Sequence, residues 1–117
     1  MDLKEQIKLI ADEIRLQFQT LADFGFMGIG TPEEATGCFV DAYEGYVKAK
    51  ELYMESVGHL PQNGSYCQFI SVDVDESELE AAYSIAKAQG FLPPPLVARV
   101  YDFAVYMNAF FMAAQRD

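Results

Sequence analysis

The densest run of reactive side chains is "DVDESELE", where Asp73, Asp75, Glu76, Glu78 and Glu80 fall within eight residues. Carboxylates so close together can hold a divalent cation, start a helix or present charge to a partner. The opening D-x-D-x-S has the spacing of a calcium loop. Counting from Asp73, however, the sixth position is Glu78, where the sharp turn needs Gly, and the twelfth is Ser84, where a bidentate Glu is required. The stretch therefore reads as an acidic helix start, and no metal ligand is assigned to it.

Other chemistry is thinner. "GIGTPEE" sets glycines before a helix N-terminus, as phosphate cradles do, but it lacks the P-loop lysine and its Glu33 and Glu34 would repel an anion. His59 is the only histidine, and no nucleophile stands at a recognisable spacing from it. Cys38 and Cys67 are far apart and outside any CxxC arrangement, so both read as reduced core thiols. The chain is expected to be neither an enzyme nor a binder of cofactor or metal.

Eighteen Asp and Glu against eight Lys and Arg give a formal charge of −10. Such a chain repels nucleic-acid phosphates and anionic membranes, and is attracted to basic protein surfaces. With 51% hydrophobic residues it has the means to fold. The opening "MDLKEQIKLI" has neither the apolar run of a secretory signal nor the character of a transit peptide, so a cytoplasmic location is expected.

The elements that must carry these residues are helices, and the expected fold is all-α, a single-domain four-helix bundle. Leu3, Ile7, Ile10, Ile14, Phe18 and Leu21 recur at three and four, predicting a helix over 2–24. Thr31, Pro32 and Glu34 form a cap, a first-turn proline and a capping box that open a second helix over 31–57, closed by Gly58. Residues 66–74 read as extended. Ser77 with Glu80 predicts a third helix over 77–89, stopped by Gly90, and the last of three prolines opens a fourth over 95–115.

Wound at about 100° per residue, the second helix gathers Glu33, Glu34, Asp41, Glu44, Lys48, Glu51 and Glu55 on one side. Phe39, Tyr43, Tyr46, Tyr53 and Val57 share the other, where the stem of Lys50 can pack and its ammonium must snorkel to water or pair with an anion. The fourth helix is apolar nearly all round, leaving only Arg99, Asp102, Tyr106, Ala109 and Ala113 for water. Asp102 and Asn108 interrupt it well short of the roughly 20 apolar residues that span a bilayer. It is thus a central helix or a dimer seam. Leu9 and Leu16, off the main stripe of the first helix, favour a homodimer joined through Leu9, Leu16, Val97, Tyr101, Val105, Phe111 and Met112.

Two classes of function follow. The first is a non-catalytic acidic module that docks Asp41, Glu44, Glu51, Glu55 and the 73–80 acids on a basic protein, as nucleic-acid mimics and inhibitors of nucleic-acid-handling proteins do. Anti-CRISPR proteins of phages and the immunity proteins of toxic nucleases share this physical character, although no motif links the chain to either. The second is a small helical enzyme or ligand-binding domain with a tyrosine-lined interior and a divalent ion at the acid cluster. A dimeric adaptor whose acidity is unspecific is the remaining alternative. Charge and capped helices favour the first.

Overall fold

Three of the helices begin where a side chain satisfies the first exposed backbone amides. In a computed structural model that describes residues 1–61 and 73–116, Asp2 caps α1 (Leu3–Glu13) by accepting from the Glu5 amide at 2.8 Å. Thr31 caps α3 (Pro32–Val57) through the Glu34 amide at 3.1 Å, with Pro32 in the first turn. Between them, α2 (Arg15–Met27) ends on Gly28, whose φ of 70° is left-handed and suits glycine alone. Three further helices complete the described residues: α4 (Glu76–Gln89), α5 (Pro94–Val97) and α6 (Val100–Arg116). All are α-helical, as expected, and none is long and apolar enough to cross a membrane.

Four details differ from the sequence-based expectation. The single helix over 2–24 is two helices broken at Ile14, which sits at φ −105° and ψ 9°. Neither Pro nor Gly marks the break. The break lies where α3 comes closest: a Cβ built on Gly45 would lie 2.8 Å from Ile14 Cγ2, so α3 passes directly over the Ile14 side chain. The bend lets Ile7 and Ile10 before it and Leu21 after it all face the core. Next, α4 starts at Glu76, because Asp75 and not Ser77 takes the cap and accepts from the Glu78 amide at 2.8 Å.

The helix over 95–115 is also divided. Pro94 and Pro95 both fit the first turn of α5, where no amide is needed, and the chain then turns at Ala98 and Arg99 before α6. Finally, Val57 is exposed. The extended segment expected over 66–74 lies outside the described residues except for its end; Val74 is buried and Asp75 is extended before the helix. Cys67 is outside them too.

The core surrounds α6, which packs against α1, α2 and α3, while α4 packs on α3. The last helix is therefore the central one. Phe103 and Phe110 are fully buried, at ring-centroid distances of 5.4 Å from Phe39 and 5.6 Å from Tyr46. Each such ring contributes roughly 1.5–3 kcal/mol by leaving water. Tyr106, Ala109 and Ala113, which the sequence left for water, are buried. The outer side of α6 is instead Tyr101, Val105, Asn108 and Met112.

Candidate protein-docking surface

The outward side of α3 is the acidic stripe that its helical winding predicts: Glu33, Glu34, Asp41, Glu44, Lys48, Glu51 and Glu55 are all exposed. Residues seven apart on a helix stand about 10 Å apart along its axis, so Glu34, Asp41, Lys48 and Glu55 form one row and Glu44 and Glu51 a second. Phe39, Tyr43, Tyr46 and Tyr53 are buried on the opposite side and hold the stripe outward.

Glu44 joins this stripe to α4. Its Oε2 accepts the Tyr83 hydroxyl at 2.6 Å and pairs with Lys87 Nζ at 3.2 Å. The Tyr83 ring stacks on Tyr43 at 4.4 Å, and these two rings with Glu44 and Val47 line a hollow of about 170 Å³. The Tyr83 bond, with help from Lys87, holds the Glu44 carboxyl below the usual carboxylate range, while the same bond pushes Tyr83 up to about 12. Burial, followed by the charges of Glu80 and Glu76, raises Tyr43. Glu44 is thus the acid of the α3 stripe that borders an aromatic hollow between α3 and α4.

The structure divides the nine acids expected to bind a partner. Asp41, Glu51, Glu55, Asp73 and Glu80 are exposed, and their carboxylates have no hydrogen bond or ion pair among the described residues. The other four are held internally. Glu76 accepts the hydroxyls of Tyr46 and, at 3.1 Å, Tyr106, and pairs with Lys50 at 3.1 Å. This is the anion that Lys50 needed. Glu78 receives Arg99 through Nε at 2.7 Å and Nη2 at 3.0 Å, and Arg99 also donates to the Asp73 carbonyl. Asp75 is the helix cap, and Glu44 makes the link just described. Tyr83, Lys87, Arg99 and Tyr106 went unrecognised as partners; the scarcity of cations among so many acids was the available signal. Among the described residues, no three His, Cys, Asp or Glu side chains are grouped to hold a metal ion.

The residues expected at a dimer seam are likewise divided. Leu9, Leu16 and Met112 are 48%, 72% and 40% exposed. Tyr101 and Val105 line a trough of about 420 Å³ between α6 and the α1–α2 arm, floored by Phe18 and Ala22. Val97 is partly buried and packs on the core. Phe111 offers no surface: it is buried, edge-on to Phe18 at 6.0 Å and to Phe110 at 5.4 Å. Phe26, Met27 and Ile29, at the end of α2 and just beyond, were not foreseen as exposed, yet stand 77%, 63% and 55% open. Fold and surface together define an all-α domain with an acidic, tyrosine-lined face. Comparison with protein families, curated proteins and solved structures finds no match to the chain.

Proposed function

We propose that the chain is a non-catalytic binding module that docks the acidic face of α3, extended by Glu80 on α4, onto a basic protein. A partner that normally holds nucleic acid presents such a surface, and blocking it would make the chain an inhibitor by charge mimicry. The observation that carries this reading is the α3 stripe: six exposed carboxylates against one exposed lysine along a helix of 26 residues, backed by a rigid aromatic core. Asp41, Glu51 and Glu55 have no internal partner to lose, so their charge is available to another molecule.

The test uses affinity capture from native lysate at low salt, followed by binding measurements with the purified partner. Reversing Asp41, Glu51 and Glu55 together to Lys should weaken binding at least about a hundredfold, since like charges placed face to face cost several kcal/mol. Helicity should be unchanged, because exposed charges contribute well under about 1 kcal/mol each. Association should slow as salt shortens the Debye length below about 10 Å, and a nucleic acid bound by the partner should compete with the chain. A partner that binds the reversed variant as tightly as wild type, and is insensitive to salt, overturns the reading.

A further inference from the structure

We propose that the hollow between α3 and α4 receives the guanidinium of an arginine from the basic partner, an inference that rests on the docking of the acidic face and makes that face prefer arginine to lysine. The hollow, of about 170 Å³, is lined by Tyr43, Glu44, Val47 and Tyr83. Pockets for a whole small molecule usually enclose roughly 300–1,000 Å³, so this one has the size for a single side chain. Its walls are fixed before any partner arrives. The Tyr83 ring stacks on Tyr43 at 4.4 Å and its hydroxyl donates to Glu44 Oε2 at 2.6 Å, so rings and carboxylate need little reordering on binding.

Charge and shape select the occupant. Glu44 Oε1 has no hydrogen bond or ion pair among the described residues, and Glu80, one turn before Tyr83 on α4, is exposed and likewise without one. Against these two carboxylates stands Lys87, whose ammonium pairs with Glu44 Oε2 at 3.2 Å. The chain's own lysine thus shows that this corner takes a cation. That pair is about half exposed, at 55% and 47%, so it is weak and yields to a competing cation. One negative charge stays unmatched beside the hollow, which disfavours an acidic or an apolar occupant. A lysine ammonium would meet the carboxylates, but it is compact and strongly hydrated and gains less from the rings. A guanidinium is planar: its faces pack on tyrosine rings while its edge donates to a carboxylate, and Val47 is placed to take the aliphatic stem.

Hexa-arginine and hexa-lysine peptides of equal charge, titrated against the whole chain by calorimetry and by NMR, read the preference. Hexa-arginine should bind about fivefold more tightly or better, and at saturation should shift the Tyr83 ring protons further than hexa-lysine does. Guanidinium also grips an isolated carboxylate more firmly than ammonium does, so the ring needs its own test. Tyr83→Leu leaves every carboxylate in place and should cut the preference by at least about threefold, whereas Tyr83→Phe, which retains a ring, should keep it. Should Tyr83→Leu lose helicity, the ring shifts of wild type decide. Ring protons that hexa-arginine leaves unmoved, or a folded Tyr83→Leu that keeps the full preference, overturn the proposal. Equal and salt-sensitive binding of both peptides overturns it too, while leaving acidic docking in place. Binding of neither peptide at low salt removes both readings.

Discussion

Tyr83 and Glu44 titrate against each other, and this gives the α3–α4 junction a pH window. The Glu44 carboxyl is held below its ordinary value of about 4.5, so its contribution is in place above that pH and is lost as pH falls through the lowered value. Tyr83 is raised from 10.0 to about 12, so its contribution is complete below pH 10.0 and is lost as pH climbs through about 12. Tyr83→Phe should return Glu44 toward the ordinary carboxylate range by NMR titration, and should remove one step near pH 12 from the tyrosinate absorbance. An unchanged Glu44 titration would show that Lys87 alone sets it. Which acids are held internally was not legible in the sequence, since Glu76 meets Lys50 across 26 positions and Glu78 meets Arg99 across 21. The winding of α3 did show that Lys50 had to reach water or pair with an anion. It could not show which of eighteen acids would supply it.

At the scale of elements, three helical glycines give a ranked test. Gly37 has nothing within 4 Å of the place a Cβ would occupy, so Gly37→Ala should stabilise the fold by about 0.5–1 kcal/mol through helix propensity. Gly45→Ala should lose by about 1–3 kcal/mol, because its methyl meets Ile14. Gly25→Ala should be worse: its methyl would collide with Tyr101 Cβ, which is bonded directly to the backbone and cannot swing away, and would lie 3.3 Å from Tyr101 Cα. Urea denaturation orders the three, and a stabilised Gly25→Ala would refute the close approach of α2 to α6. Two neighbours on α6 behave oppositely. Phe111→Asp should abolish the folded circular-dichroism signal, since a charge in the core costs several kcal/mol of a typical total of 5–15. Met112→Asp, at an exposed site, should change stability by no more than about 0.5 kcal/mol. Caps at Thr31, Gly58 and Gly90 were legible because capping is local. The break at Ile14 was not, because neither Pro nor Gly marks it in the sequence.

At the scale of the whole molecule, the all-α class followed from apolar stripes together with caps and stop residues, whereas the position of α6 depended on where one hydroxyl goes. Tyr106 and two alanines gave that side of the helix too little apolar character to read as interior, yet Glu76 accepts the hydroxyl and all three are buried. The acidic face of α3 and the trough beside α2 are separate features of the surface. The central place of α6 also bears on synthesis. Gln115, near its end, donates to the carbonyl of Lys4, 111 positions earlier, and the apolar sides of α1, α2 and α3 all close on this helix. Ribosomes add roughly 5–20 residues per second, so the earlier helices emerge seconds ahead of the one that covers them. During that interval their apolar sides are open to chaperones and to other nascent chains, and the domain closes only after α6 has left the ribosome.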